Sequence, residues 1–169
     1  MKRILQILLA GTALTLSAQQ GTAWVAGYVG DTVFKSDANL KDSMHYGLGL
    51  GHWYTDSWGL DLRAIRNDLK FDQNPLNIGT GKETHLLLSG LYNLRPGANN
   101  WYPYLAAGVG GTNLDSPYSG KSDSATRFNY HVGAGLMGRP AENVFLDVSV
   151  KGLHVDQAHT EYLASLGLG

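Results

Sequence analysis

The sequence predicts an all-β protein, an eight-stranded antiparallel up-and-down transmembrane β-barrel, from its strand periodicity, its pattern of connections and its N-terminal segment. In residues 127–138, alternate positions from Phe128 to Leu136 are apolar or aromatic, and the positions between them are polar or glycine. Residues 44–54 and 144–150 repeat this pattern. Because successive side chains of a strand point to opposite faces, each segment has one apolar and one polar face. Repeated strands of this kind are typical of barrels that cross a membrane with their apolar face outward.

Eight segments have strand character, and short turns alternate with long polar loops between them. We place the strands at residues 24–34, 44–54, 57–67, 83–94, 101–112, 126–138, 144–154 and 160–168. The connections expected to be short are Tyr54–Ser57, Arg95–Asn100 and Arg139–Asn143, which contain turn-forming Asp, Asn, Gly or Pro residues. The longer ones are Lys35–Ser43, Asp68–Lys82 and Asp115–Ala125, and His154–His159 is a compact exception. Short periplasmic turns and long extracellular loops are typical of outer-membrane barrels.

The N-terminal segment has the three parts of an export signal. Lys2 and Arg3 precede an apolar run from Ile4 to Leu16, and small residues follow at Gly21-Thr22-Ala23. A membrane-anchoring helix needs about 20 apolar residues, more than this run provides. The sequence therefore predicts a cleaved signal peptide at residues 1–23 and a barrel at residues 24–169.

Composition excludes several classes of protein. The chain is 43% hydrophobic, contains 22 Gly and 9 Tyr, and has no later apolar run long enough for a membrane helix. The absence of Cys excludes disulfide scaffolds, thiolate metal sites and Cys nucleophiles. A formal net charge of −1 gives no reason to expect a nucleic-acid partner.

Aromatic residues are concentrated near the predicted strand ends. Those near the short turns are Trp24, Trp53, Tyr54, Trp58, Tyr92, Trp101, Tyr102, Tyr104 and Phe145. Those near the long loops are Phe34, Tyr46, Phe128, Tyr130 and Tyr162. Since aromatic side chains favour the interfaces of a bilayer, we expect two aromatic girdles on the outside of the barrel.

Three segments resemble the recurrent strand motifs of the OmpA-type outer-membrane barrel family. They are Leu91-Tyr92-Asn93-Leu94, the stretch 101–110 that begins Trp-Tyr-Pro-Tyr, and Val132-Gly133-Ala134-Gly135-Leu136. Their order and spacing match the fourth, fifth and sixth strands of that family, and the similarity extends over about residues 24–169. The resemblance implies an eight-stranded, antiparallel, up-and-down barrel of the outer membrane. We expect this barrel to be a monomer that contacts outer-membrane lipid and lipopolysaccharide.

Six charged residues are predicted to lie inside the barrel. They are Asp31, Asp61, Arg63, Asp147, Lys151 and Glu161. Strands three and seven face each other across an interior just wide enough for side chains, so we expect Arg63 to reach Asp147. Lys151 is expected to lie between Asp31 and Glu161. Asp61, Arg63 and Asp147 thus form one layer, and Asp31, Lys151 and Glu161 form a second. Buried charges are tolerated only when they are paired, so the two layers are predicted to plug the lumen.

No other residues point clearly to chemistry. The six His residues form no HExxH motif, and a surface metal contact at His154 and His159, beside Asp156 and Glu161, is the less favoured interpretation. Lipid-modifying enzymes exist among eight-stranded outer-membrane barrels, but no His and Ser form a His-x-Ser pair on an apolar face here. The glycine-rich segment 108–111 lies within a predicted strand, so it is not a nucleotide loop. We therefore predict no catalytic residue, no cofactor and no metal.

The sequence favours a structural role in the cell envelope, with extracellular loops that contact a ligand the sequence does not identify. A narrow, low-conductance pore is the alternative. A lipid-modifying enzyme and a soluble lipocalin-like binder are less favoured. A soluble barrel would turn its apolar face inward and leave Gly47, Gly49, Gly133 and Gly135 in water, whereas small residues suit a crowded lumen.

Overall fold

Eight long antiparallel strands form the described part of the protein, which is known from a computed structural model. The structure describes residues 21–35, 40–71, 81–96, 101–116, 123–141, 144–156 and 158–169. The strands are β1 (Ala23–Phe34), β2 (Ser43–Trp53), β3 (Trp58–Phe71), β4 (Gly81–Asn93), β5 (Trp101–Ser116), β6 (Asp123–Ala141), β7 (Val144–Val155) and β8 (Thr160–Leu168). A two-residue strand, Leu40–Lys41, precedes β2 and pairs with the end of β3. Within these ranges, no helix is long and apolar enough to cross a membrane.

The sheet closes into a barrel through pairing of its first and last strands. Each strand pairs with its neighbours in the chain, and β1 also pairs with β8, from Gly27 opposite Leu168 to Phe34 opposite Glu161. The predicted eight-stranded antiparallel barrel is therefore confirmed. Closure removes the unpaired edge that hydrocarbon would leave without hydrogen-bond partners.

The strands extend further toward the long loops than the sequence predicted. β3 continues to Phe71 and β4 begins at Gly81, so the predicted bounds of the loop, 68–82, are wrong. The same holds for loop 115–125, because β5 ends at Ser116 and β6 begins at Asp123. The central parts of both loops lie outside the described residues, as do most of the predicted signal peptide and residues 36–39. Polar side chains at these ends suit a hairpin that pairs its backbone above the membrane, where both faces meet water.

Except on β1, the alternating faces that the sequence assigns are oriented as predicted. Leu48 and Val132 are 68% and 65% exposed on the outside, whereas Asp147, Ser149 and Lys151 of β7 are buried inside. In β4, Leu residues occupy both parities, so the alternation alone leaves undecided which face is inside. The structure turns Leu86 and Leu88 outward and buries Leu87 and Leu91 in the lumen. The outer wall is thus mainly apolar, as lipid contact requires.

The expectation that all the strand-end aromatics form girdles is wrong for five of them. Trp24, Trp53, Tyr104 and Phe145 at the short-turn end, and Phe34 at the other end, are buried inside the barrel. Glycines make room for Trp24 and Tyr104: a Cβ atom on Gly51 would overlap the Trp24 ring, and one on Gly135 would lie 2.6 Å from Tyr104.

Other aromatics do remain on the outer surface, as predicted for girdles. At the short-turn end, Trp58 and Tyr92 are exposed and their rings lie 4.8 Å apart, and Trp101 and Tyr54 are also exposed. At the long-loop end the exposed aromatics are Tyr46, Phe128, Tyr130 and Tyr162.

Candidate functional site in the barrel lumen

The short-turn end of the lumen is filled by aromatic and apolar side chains. Trp24 stacks on Phe145 with ring centroids 5.5 Å apart, and it contacts Trp53 at 6.1 Å. We call the full set the aromatic plug: Trp24, Ala26, Tyr28, Trp53, Leu91, Tyr104, Ala106, Met137 and Phe145. Six of these residues lie on the inward parity of strands that start or end at short turns, so the fold gathers them at one end. The plug closes this end with apolar packing.

Arg63 lies next to the plug and joins strands on both sides of the barrel. Its Nε donates to Asp61 Oδ2 at 2.6 Å, and its Nη2 donates to Asp147 Oδ2 at 2.7 Å. Its Nη1 donates to Ser149 Oγ at 3.0 Å. Arg63 and both aspartates are fully buried. A guanidinium has five fixed N–H donors and remains charged, so it can serve two carboxylates at once.

Two tyrosines of the plug complete the surroundings of Arg63. The guanidinium carbon lies 4.1 Å from the centre of the Tyr28 ring, in cation–π contact. Tyr104 donates its hydroxyl hydrogen to Asp147 Oδ1 at 2.8 Å. The aromatic plug and the buried charges therefore form one continuous packed unit.

A second cation balances the charge of the two aspartates. Lys151 Nζ lies 3.2 Å from Asp61 Oδ2 and donates to Ser89 Oγ at 2.8 Å. Ser89 in turn contacts His131 Nε2 at 2.9 Å. We call Asp61, Arg63, Asp147 and Lys151 the charge layer. Its two cations and two anions give it no net charge, which lowers the cost of burying it.

The structure places five of the six predicted lumen charges inside the barrel. Arg63 reaches Asp147 across the interior, as the strand arrangement predicted. Lys151 pairs with Asp61, not with Asp31 or Glu161. Glu161 belongs to a different cluster nearer the long loops.

The inward placement of Asp31 is wrong. Asp31 is exposed on the outer parity of β1, and its neighbour Thr32 is buried inside. β1 carries apolar residues on both parities, for example Val33 and Phe34, so its alternation does not reveal which face is inside. Asp31 also lies near the long-loop end of the strand, where an outward carboxylate can reach water.

Above the charge layer, the lumen continues with neutral side chains. The imidazole of His45 lies between Ser165 Oγ at 2.9 Å and Thr32 Oγ1 at 3.1 Å. An apolar group follows, composed of Ile65, Leu87, Leu153, Val155 and Leu163. These side chains separate the charge layer from the ionisable groups at the long-loop end.

The long-loop end of the lumen contains two carboxylates and two imidazoles, which we call the acid–imidazole cluster. His85 Nε2 lies 3.0 Å from Glu161 Oε1 and 3.7 Å from Glu83 Oε2. His159 Nε2 lies 3.3 Å from Glu83 Oε1 and 3.8 Å from Glu161 Oε2. Three of the four are fully buried, and the His159 side chain is 9% exposed. The sequence predicted Glu161 alone among them for the lumen charges, because the parity of β4, which carries Glu83 and His85, was undecided.

His159 is the member of this cluster that lies outside the strands, in the turn between β7 and β8. Burial opposes its protonation, but the carboxylates of Glu161 and Glu83 outweigh burial and raise the pKa of His159 to about 10. The Phe34 ring packs edge-on against it, with centroids 5.3 Å apart.

A closed antiparallel barrel with an apolar outer wall and a filled lumen defines an eight-stranded transmembrane barrel of the outer-membrane type. Residues 6–169 match the model of the outer membrane protein β-barrel domain, and the chain belongs to that family. The protein is accordingly an outer-membrane protein.

Solved structures of other outer-membrane barrels share the fold. Neisserial surface protein A is 16% identical, with a TM-score of 0.70, and the match covers 86% of this chain and 94% of that one. The N-terminal barrel domain of Pseudomonas aeruginosa OprF is 23% identical, with a TM-score of 0.60 over 88% and 97% of the two chains. Ail of Yersinia pestis is 20% identical, with a TM-score of 0.56 over 89% and 97%. No curated protein matches this sequence significantly.

Proposed function

We propose that this protein is a structural outer-membrane barrel that does not conduct freely and that acts through its wall and its long-loop end. The wall contacts outer-membrane lipid and lipopolysaccharide, and the long loops form a contact surface for an external ligand. The observation that carries the proposal is the continuous filling of the lumen by the aromatic plug and the charge layer.

The burial of the lumen side chains supports a closed interior. Asp61, Arg63 and Asp147 are 0% exposed, and so are Leu87 and Leu153 further along the axis. Side chains that lined a water-filled channel would be solvated. In an eight-stranded barrel the interior has room for side chains but not for a wide channel in addition.

The same interior argues against lipid-modifying catalysis. The imidazole–hydroxyl pairs His45–Ser165 and Ser89–His131 have the residue types of a nucleophile and its base. Both pairs are buried in the lumen, with His45 1% and His131 2% exposed. A lipid substrate meets the outer wall, so neither pair is placed to act on it.

A contact role for the long-loop end has support from the fold. Ail of Yersinia pestis, which shares the barrel fold, has been crystallised in complex with the heparin analogue sucrose octasulfate. A barrel of this architecture can therefore hold a soluble ligand. We extend to this chain the expectation of an external ligand, without its chemical identity.

Planar-bilayer recording tests the closed lumen against the alternative, a narrow pore. The wild-type protein should show small or intermittent currents. Arg63→Ala and Lys151→Ala should raise conductance, because each removes a long side chain from the charge layer. Arg66→Ala is the matched control, since Arg66 lies on the outward parity of the same strand as Arg63. A wide, steady wild-type pore that neither lumen variant changes would refute the proposal.

A further inference from the structure

The acid–imidazole cluster has more polar atoms than hydrogen bonds to satisfy them. Both carboxylate oxygens of Glu161, Oε1 of Glu83, and Nε2 of His85 and of His159 are buried without a hydrogen-bond partner. The 3.0 Å approach of His85 Nε2 to Glu161 is therefore not aligned as a hydrogen bond. Unsatisfied buried polar atoms are rare in folded proteins, and five in one cluster require an explanation.

From these atoms we infer that Glu83, His85, His159 and Glu161 form a binding site for a divalent transition-metal ion, Zn²⁺ in the first instance. The oxygens of two carboxylates and the nitrogens of two imidazoles are donors that suit Zn²⁺. Potential ligand atoms of Glu83, His85 and Glu161 lie within 4.8 Å of one another. His159 approaches the same two carboxylates from the β7–β8 turn.

Each imidazole nitrogen lies near both carboxylates at a separation that suits shared coordination. With metal–ligand bonds of about 2.0–2.1 Å, the ligand atoms of a tetrahedral Zn²⁺ site lie about 3.3 Å apart. The four nitrogen–oxygen distances in the cluster are 3.0, 3.3, 3.7 and 3.8 Å. His85 faces one oxygen of each carboxylate and His159 faces the other, so side-chain movements that bring one oxygen of each carboxylate to a shared ion would complete the coordination.

The surroundings of the cluster hold its ligands in place. His85 contacts Thr112 Oγ1 through Nδ1 at 2.9 Å, which leaves Nε2 directed at the carboxylates. Thr112 in turn accepts a hydrogen bond from Asn129 at 2.9 Å. Glu83 Oε2 accepts one from Asn67 at 3.3 Å. Outer hydrogen bonds of this kind fix the orientation of metal-bound imidazoles and carboxylates.

Charge also favours a cation at this position. A metal ion displaces the proton of His159 when it binds, and the two carboxylates and two neutral imidazoles then carry a net charge of −2, which a divalent ion neutralises. Leu87 and Leu163, the next inward residues on β4 and β8, separate the cluster from Lys151 and Arg63. Apolar side chains close the lumen below the cluster, whereas His159 above it is partly exposed. A metal ion would therefore enter from the long-loop end.

The test uses the refolded, EDTA-treated barrel. Zn²⁺ binding is measured by titration calorimetry, and Co²⁺ is then added to metal-free protein and its visible absorption is recorded. The wild-type protein should bind one Zn²⁺ per chain, and Co²⁺ should give the intense absorption of tetrahedral coordination. Glu161→Gln should abolish binding with little change in side-chain volume. His154→Gln should bind as the wild type does, because His154 lies in the same region but contacts Thr160 instead of the cluster.

A positioning variant keeps the test decisive if Glu161→Gln does not refold. Thr112→Val removes the hydroxyl that orients His85 without touching a ligand atom, and it should weaken Zn²⁺ binding by about 10–100-fold. A heat-dependent shift in gel mobility verifies that each variant is folded. The inference is overturned if the wild-type protein binds no Zn²⁺ or if Glu161→Gln and Thr112→Val both bind it as tightly as the wild type. It is also overturned if His154→Gln abolishes binding.

Discussion

Replacement of Arg63 by Ala tests whether the charge layer stabilises the barrel. The change leaves Asp61 and Asp147 buried without the guanidinium that bonds both of them. Breaking a buried ion pair by removing one partner costs about 3–5 kcal/mol, because the remaining charge is uncompensated. Lys151 still lies 3.2 Å from Asp61, and Tyr104 still donates to Asp147. We therefore expect a loss near the lower limit, about 3 kcal/mol.

The assay is equilibrium unfolding by urea in lipid vesicles, followed by tryptophan fluorescence. Trp24 and Trp53 lie inside the barrel and Trp58 and Trp101 outside it, so the signal reports on both environments. The matched control Arg66→Ala removes an outward arginine of β3 and should change the free energy of unfolding by less than about 0.5 kcal/mol. Equal effects of the two variants would refute the proposed role of Arg63.

A double-mutant cycle with Asp147 separates ion pairing from lost packing. Asp147→Asn together with Arg63→Ala leaves Asp61 and Lys151 as a balanced pair. The double variant should therefore lose less stability than the two single variants combined, with a coupling energy of about 1–3 kcal/mol. Strict additivity would mean that the two side chains do not interact, contrary to their 2.7 Å contact.

The remaining predictions concern the wall, insertion and pH. Leu50→Arg or Val148→Arg should lower the free energy of unfolding by about 2–4 kcal/mol, since both residues face lipid. Gly49→Arg should also destabilise, because a Cβ atom there would lie 2.7 Å from Tyr28; three neutral variants would contradict the assigned faces. The refolded protein should require detergent and show a heat-dependent shift in gel mobility, and a detergent-free soluble monomer would contradict membrane insertion. In EDTA, the stabilisation from protonated His159 should be complete below about pH 6.5 and fall as the pH rises toward 10, because its pKa is raised in the folded state; an identical pH profile for His159→Gln would contradict this.

Strand periodicity predicted the fold because each strand of a barrel in lipid has one face toward the membrane and the other toward the lumen. In β6 and β7, apolar and polar residues alternate without exception near the centre, and both strands and both faces are confirmed. In β1 and β4 the parities are similar, since an eight-stranded lumen accepts large apolar side chains as well as polar ones. For this reason the sequence places Asp31 on the wrong face and does not identify Glu83 as a lumen residue.

Which lumen residues meet depends on strand stagger, and a sequence does not contain that quantity explicitly. Arg63 and Asp147 were predictable because they lie at similar heights on opposite strands. Lys151 was paired by height alone with Asp31 and Glu161, but it reaches down to Asp61 and Ser89. A long flexible side chain with a single charged atom can satisfy partners at several heights, so height on the strand does not select its partner.

The order of layers along the lumen explains why one end of the barrel is the better place for a ligand. At the short-turn end, aromatic rings and the Arg63 hydrogen bonds satisfy one another, with Asp61 Oδ1 and the Tyr28 hydroxyl among the few atoms left without partners. At the long-loop end, the acid–imidazole cluster leaves five of its donor and acceptor atoms unsatisfied. Burying such atoms costs free energy unless a partner arrives, so a ligand that pairs with them would stabilise this end of the barrel. Binding capacity at that end is compatible with a closed lumen, because the apolar layer of Leu87, Leu153 and Leu163 isolates it from the charge layer.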